Sequence, residues 1–414
     1  MQHSSTNMEV LFISHKYPPS IGGMQKQSYE LINGFGAHGV AHHIVLSPEE
    51  NRVTFFFRLR KRVSQIITEH PNIRLIHCND GVCGVIGQLL LRSFDLPLIV
   101  TFHGLDLLWP NKLYQRWLLR GGISRYTGVI GVSDFTSQAA IDRGARSSVV
   151  RTVLNGVDQP DWNISEVRDS LQQFTRELKS QKKRILVSIG RPVRRKGFNW
   201  FIQEVLTQLS PDVHYIVIGP KVERSLLHKM WRGILPDGLL RQIDLFFGSN
   251  SAQGTLELLV DRYEHQVNWL SDLNYHEVQY MLAQATLMVM PNIAVKGDAE
   301  GFGLVSLETN MQETYVLAAD VDDIPSAVHD GQNGTLIEAD AADRWVAEIE
   351  SFLGMSQQTI LEKGRTAQAF VESTFSWRKM AAEYYDFFKQ FTGQLDVSEQ
   401  KTTEEPTEQL LTVS

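Results

Sequence analysis

Cysteine is nearly absent: Cys78 and Cys83 are the two thiols in 414 residues. Two thiols cannot staple a chain of this length, so a disulfide scaffold is excluded and a reduced intracellular setting is expected. Their spacing fits no common zinc pattern, and no second cysteine pair completes one. Long apolar runs are missing too. No stretch reaches the ~18 apolar residues of a membrane-spanning helix. The run from Val10 to Ile13 is too short for the core of a secretory signal. A soluble or peripheral protein is expected. A basic excess is also missing, since 40 Lys+Arg face 47 Asp+Glu for a formal charge of −7. Proteins that coat nucleic acid usually show the opposite balance, so no nucleic-acid partner is expected. What remains is 43% hydrophobic and 21% charged, which excludes a collagen-like or wholly disordered chain.

Short apolar runs of β type alternate with amphipathic stretches such as 25–37 and 112–122. The first set is EVLFIS (9–14), HHIVLS (42–47), IRLIHC (73–78), PLIVTFHG (97–104) and TGVIGVS (127–133). The rhythm breaks over the polar residues 158–181 and resumes with KRILVSIG (183–190), VHYIVIG (213–219), NWL (268–270), TLMVMP (286–291) and YVLAAD (315–320). Buried strands separated by helices indicate an α/β chain with parallel sheets covered on both faces. Two doubly wound domains are expected, over residues 8–165 and 182–375. An amphipathic helix over 376–391 is expected to cross back to the first domain, followed by a polar, acidic, disordered tail over 392–414. Ligands of such sheets sit outside the carboxyl ends of the strands, so the two domains should face each other across a cleft.

Several segments carry chemistry at those strand ends. In HKYPPSIGGMQ (15–25), Gly22 and Gly23 lie between a strand and a helix, where backbone N–H groups can approach an anion or simply make a turn. The run Gly34-Phe35-Gly36-Ala37-His38-Gly39 matches G-x-G-x-x-G literally, but it ends a helix and precedes a strand. A dinucleotide fingerprint needs the reverse order, so NAD binding is rejected. His103 follows a strand end and either donates to a ligand oxygen or is held by backbone. In ILVSIGRPVRRKG, Arg191 and Lys196 are placed to clamp a diphosphate, whereas Arg194 and Arg195 are expected to face solvent. GDAEGFGLVSLETN (297–310) sets Glu300 and Glu308 eight positions apart, with Gly301 and Gly303 between them. A helix starting near Gly303 would aim its free N–H groups at an anion.

Taken together and in this order, HKYPPSIGGMQ, TFHG, VLNGVD (153–158), GRPVRRKG and EGFGLVSLE resemble family-four retaining glycosyltransferases with the GT-B fold (glycosyl transferases group 1), over about residues 9–390. The resemblance implies two Rossmann-like domains facing a central cleft. It implies transfer of a hexose from a UDP- or GDP-linked donor to a glycolipid or polysaccharide precursor, with retained configuration. It also implies residue roles. Gly22 and Gly23 approach the donor phosphate or the acceptor, and His103 sits at the transferred sugar. Arg191 and Lys196 hold the diphosphate, and Glu300 holds sugar hydroxyls. The amides of Gly301, Phe302, Gly303 and Leu304 touch sugar and phosphate, and Glu308 holds the ribose. No metal or other cofactor is implied, because cations and amides can oppose the charge on the leaving oxygen. The M-P-N…G-D-A-E-G-F-G stretch is similar to mannosyltransferase-like members. Alanine at Lys196 or at Glu300 is expected to cut transfer severely and spare the fold.

Two departures from the family pattern stand at 310–315 and at Asp322-Asp323. If those loops border the donor phosphates, their charge would repel a diphosphate unless the carboxylates turn away. They motivate a second reading, a catalytically weak scaffold or partner subunit. A sugar-nucleotide epimerase is a third. Finally, residues 51–67 form a helix pattern with Phe55, Phe56, Leu59, Val63, Ile66 and Ile67 on one face. Phe57, Arg58, Lys61 and Arg62 lie on the other, which suits an anionic membrane surface. That suggests peripheral contact on the inner face of the membrane, and with it the resemblance implies a cytoplasmic enzyme working in surface polysaccharide or lipopolysaccharide biosynthesis.

Overall fold

A computed structural model describes residues 9–20, 22–37, 40–46, 52–109, 111–112, 114–116, 122–222 and 251–392. The expected tail from 393 onward lies outside the described residues. The first sheet holds β1 (Glu9–Ser14), β2 (His42–Leu46), β3 (Ile73–Cys78), β4 (Leu98–Phe102), β5 (Gly128–Gly131) and β6 (Val150–Thr152), in the order β2-β1-β3-β4-β5-β6. The second holds β7 (Arg184–Ile189), β8 (Val213–Ile218), β9 (Val267–Leu270), β10 (Leu287–Met290), β11 (Val316–Asp320) and β12 (Gly334–Glu338), in the order β12-β11-β10-β7-β8-β9. Every named pairing is parallel. Both orders reverse direction once, between β1 and β3 and between β7 and β10. Those two switch points are where an open α/β sheet opens a crevice for ligands.

All ten apolar runs named from sequence are strands. The two strands without such a run, β6 and β12, are edge strands. β6 reads VRT and is half-buried throughout. β12 opens on Gly334 and alternates less apolar residues. An edge strand has one neighbour and needs no continuous apolar run.

The strand faces alternate between two apolar layers in each domain. In the first, Leu11, Ile13, Val45 and Val100 pack under α2 (Arg52–Glu69) through Phe55, Leu59 and Val63. On the other face, Val10, Phe12, Ile99 and Ile130 meet α1 (Gly23–Ala37) and the closing helix Trp377–Thr392. That helix sits on the first domain through Met380, Tyr384 and Phe388, all essentially buried. Gly34, the first glycine of the G-x-G-x-x-G run, belongs to this packing, and Gly39 lies outside the described residues. A Cβ on Gly34 would stand 2.5 Å from the Ala381 Cβ, so the bare glycine lets the two helices close together. A smaller apolar cluster joins the domains: Val132 and Val157 of the first meet Phe302, Leu307 and Phe375 of the second. Among the described residues no helix is long and apolar enough to cross a membrane.

Candidate active site

At the second domain's switch point, the loop after β7 and the loop after β10 are locked together. Gly197 has φ of 68°, and a Cβ there would lie 1.7 Å from the Pro291 carbonyl oxygen, so only glycine fits. The Ile293 amide donates to the Arg195 carbonyl at 2.9 Å. This contact brings three charged side chains to one point. Lys196 Nζ lies 3.1 Å from Glu300 Oε2, and Arg195 Nε lies 3.3 Å from the same oxygen. Arg195 Nη1 also holds Asp298 Oδ1 at 2.9 Å, and the Asn292 amide donates to Glu300 at 2.9 Å. Burial pushes the Glu300 carboxyl up, but Lys196 and then Arg195 outweigh it and hold it down to about 2. Glu300 is therefore a fixed anion.

Arg195 corrects the sequence reading. It does not face solvent, since its side chain is 11% exposed and bridges two carboxylates. Nothing in a run of three basic residues reveals that the second turns inward together with the third. Arg194 is exposed as expected, and Arg191 is exposed at the cleft.

Across the cleft, the first domain's switch point is equally ordered. Asp80 caps α3 (Gly81–Leu90) by accepting from the Val82 and Cys83 amides. Its other oxygen lies 2.9 Å from His15 Nδ1. Burial pushes the Asp80 carboxyl up, and His15 outweighs that to hold it below the usual range. His103 Nε2 donates to the Asn79 carbonyl at 2.8 Å, which leaves Nδ1 for a ligand. Asp106 accepts from the His103 amide at 2.9 Å and from the Gly81 amide at 2.8 Å, tying the two loops. Burial raises the Asp106 carboxyl, against the pull of His103. The closing helix reaches this site indirectly. Asn79 Nδ2 donates to Gln27, Gln27 donates to the Tyr384 hydroxyl at 3.1 Å, and that hydroxyl pairs with Thr101 at 2.9 Å.

The two halves meet. A Cβ on Gly301 would lie 3.4 Å from the His103 carbonyl oxygen. A Cβ on Gly23 would lie 3.3 Å from the Leu304 side chain. Gly22 immediately precedes α1 and Gly303, with φ of 77°, precedes the helix Leu304–Asn310. Phe302 turns its ring into the interdomain cluster, so only its backbone is available to a ligand. Glu308 is taken up by Lys26 Nζ of α1 at 3.0 Å, an ion pair across the cleft with no local signal in either segment.

The two departures resolve differently. Residues 310–315 lead into the amino end of β11 and so lie at the opposite end of the sheet from the cleft. Asn310 there is buried and bonds the Thr314 and Asn333 carbonyls, a structural role. Asp322 and Asp323 do follow the carboxyl end of β11, but both are engaged. Asp322 accepts the Glu300 amide at 2.9 Å. Asp323 accepts from Ser326 at 2.8 Å and from Thr136 of the first domain at 3.4 Å.

Two family models match the chain: Glycosyltransferase Family 4 over residues 6–159 and Glycosyl transferases group 1 over residues 169–366. Among curated relatives, the alpha-maltose-1-phosphate synthase of Mycolicibacterium smegmatis is 24% identical over 77% of this chain and 79% of its own. The D-inositol 3-phosphate glycosyltransferase of Corynebacterium aurimucosum is 29% identical over 76% of this chain and 71% of its own. Among solved structures, Anabaena HepE in complex with UDP-glucose gives a TM-score of 0.67 at 18% identity, covering 92% of this chain and 100% of that one. At that identity the likeness is one of fold.

Proposed function

The chain belongs to the GT-B glycosyltransferases that these two models describe, and from that premise we propose a metal-independent, retaining hexosyltransferase. Its donor is a UDP- or GDP-linked hexose, and its acceptor is a glycolipid or polysaccharide precursor. The observation that carries this reading is the Lys196–Arg195–Glu300 cluster at one switch point, set against His103 and the Gly22-Gly23 turn at the other. The relatives fit a sugar-phosphate chemistry by name, and HepE was captured with UDP-glucose.

In this reading Arg191 and Lys196 take the diphosphate. A lysine ammonium has three donors, so Lys196 can keep Glu300 and still reach a phosphate oxygen. Cleaving the glycosyl–phosphate bond builds negative charge on the leaving oxygen, which preorganised cations and amides oppose. Amides at Gly301, Phe302, Gly303 and Leu304 add to that field. Glu300 accepts sugar hydroxyls with its remaining lone pairs, and it stays ionised because Lys196 and Arg195 hold it so. His103, oriented by the Asn79 carbonyl, presents Nδ1 to the sugar. Glu308 takes the ribose after exchanging with Lys26. The acceptor hydroxyl loses its proton to the departing phosphate on the same face, which retains the configuration. The scaffold reading loses its motive, since 310–315 lie away from the cleft and Asp322 and Asp323 are occupied.

We assign the exposed face of α2 to an anionic membrane surface. Phe57 is 85% exposed, Arg58 and Lys61 are exposed and Arg62 half-buried, while Phe55, Leu59 and Val63 anchor the helix in the core. This would hold a lipid-linked acceptor near the cleft. Glutamate at Arg58, Lys61 and Arg62 should abolish binding to anionic vesicles. Unaltered binding would remove the membrane from the reading. The transferase reading itself is tested by incubating the protein with labelled UDP- and GDP-hexoses in EDTA. Release of nucleotide diphosphate that depends on Lys196 supports it.

A further inference from the structure

We propose that Glu9, His43 and His70 form a divalent metal site of zinc class, at the end of the first domain remote from the cleft. The three donors come from three elements. Glu9 opens β1, His43 is the second residue of β2, and His70 follows α2 directly. In a parallel sheet these are the amino ends of the strands, opposite the switch point.

The geometry is close to that of a bound ion. His43 Nε2 lies 2.7 Å from Glu9 Oε2, His70 Nδ1 lies 4.0 Å from the same oxygen, and all three donor atoms fall within 4.8 Å of one another. Four-coordinate zinc holds nitrogen and oxygen ligands at about 2.0–2.1 Å, which places neighbouring donors about 3.3 Å apart. The observed gaps straddle that spacing, so side-chain torsions alone can close the set. The backbone is already fixed. The Glu9 amide donates to the Asn72 carbonyl at 3.1 Å, the His70 amide to Ile66 at 2.8 Å, and His43 is registered beside Leu11.

A simple hydrogen bond explains only half of the cluster. It accounts for His43 and Glu9, but 4.0 Å is too long for His70 to share it. The two imidazoles nevertheless lie with ring centroids 3.8 Å apart and planes tilted by 32°, and each turns one nitrogen toward the same carboxylate oxygen. The side chains are 16–32% exposed, so water can supply the fourth ligand. Two histidines and one carboxylate without sulfur suit zinc, nickel or copper rather than magnesium or calcium. The ion would clip β1, β2 and the end of α2 together. It would act on stability and not on transfer.

A second group, His15, Asp80 and Cys83, is the competing site, and it contains sulfur. The full chain, stripped with EDTA, is titrated with zinc and separately with cobalt(II). The expected result is one saturable site, a raised melting temperature, and a cobalt spectrum without a sulfur charge-transfer band. His43→Gln and His70→Gln should each weaken binding by at least about tenfold, while transfer activity holds. Absence of saturable binding overturns the proposal. So does a sulfur charge-transfer band in the unaltered protein, which would place the ion at Cys83 whether or not any variant folds. Unchanged affinity in both histidine variants overturns it as well.

Discussion

Arg195→Met is expected to separate stability from catalysis at the second domain's switch point. The Arg195 side chain is 11% exposed, and its partners Asp298 and Glu300 are 7% and 10% exposed. Removing the guanidinium strips Asp298 of its one ion pair among the described residues, while Glu300 keeps Lys196 and Asn292. Breaking a buried pair by deleting one partner costs about 3–5 kcal/mol, because the other charge stays desolvated. In a domain of ~200 residues each kcal/mol moves the melting temperature by about 2–4 °C, so a fall of about 6–20 °C is expected. Lys196→Met touches the same oxygen but leaves the Arg195 bridge intact. It should melt much closer to the parent protein and lose transfer by about 10²–10³. Calorimetry on both variants, with turnover measured well below melting, reads the two effects. If Arg195→Met melts within about 2 °C of the parent, the buried-pair reasoning fails.

Glu300→Ala should lower transfer and also stability, because it leaves Arg195 and Lys196 facing each other. This revises the expectation from sequence that the fold would be spared, and Glu300→Gln is the variant that isolates the activity loss by turnover assay. Burial raises the Asp323 carboxyl from 3.8 to about 6, with hydrogen bonds from Ser133, Ser326 and Thr136 opposing the rise. Between those values the folded protein keeps a proton that the unfolded chain releases. Stability should therefore grow as pH falls through that window and be lost as pH rises through 6, by up to about 3 kcal/mol. Asp323→Asn should flatten this slope in melting curves taken across pH 4–7. Lys26→Met breaks a partly exposed pair, so its stability cost should stay under about 1 kcal/mol while the donor KM changes more than kcat. Phe388→Ala empties a fully buried place under the first sheet and should cost about 3–5 kcal/mol by denaturant titration.

The strands were legible because central strands of a parallel sheet are buried on both faces and must be apolar throughout. β6 and β12 escaped because an edge relaxes that demand, although the other two edges, β2 and β9, still carry apolar runs. The glycines, His103, Arg191, Lys196 and Glu300 could be placed because each follows a strand end, and strand ends define the cleft. What sequence could not supply was pairing over long separations. Lys26 and Glu308 are 282 positions apart, and nothing local marks either as the other's partner. The inward turn of Arg195 depends on Gly197 meeting Pro291, a contact made only in the fold. The displacement of 310–315 from the cleft follows from strand direction, which a comparison of letters with a family pattern ignores.

The proposed cleft binds a nucleotide diphosphate hexose without a metal. Thermal shift of the purified chain with UDP- and GDP-sugars, each against an EDTA-treated reference, tests it most directly. A ligand that binds only the folded state must raise the melting temperature. The expected result is a rise with one nucleotide class that persists in EDTA and shrinks in Lys196→Ala. A rise that vanishes in EDTA, or no rise with any donor, would contradict it.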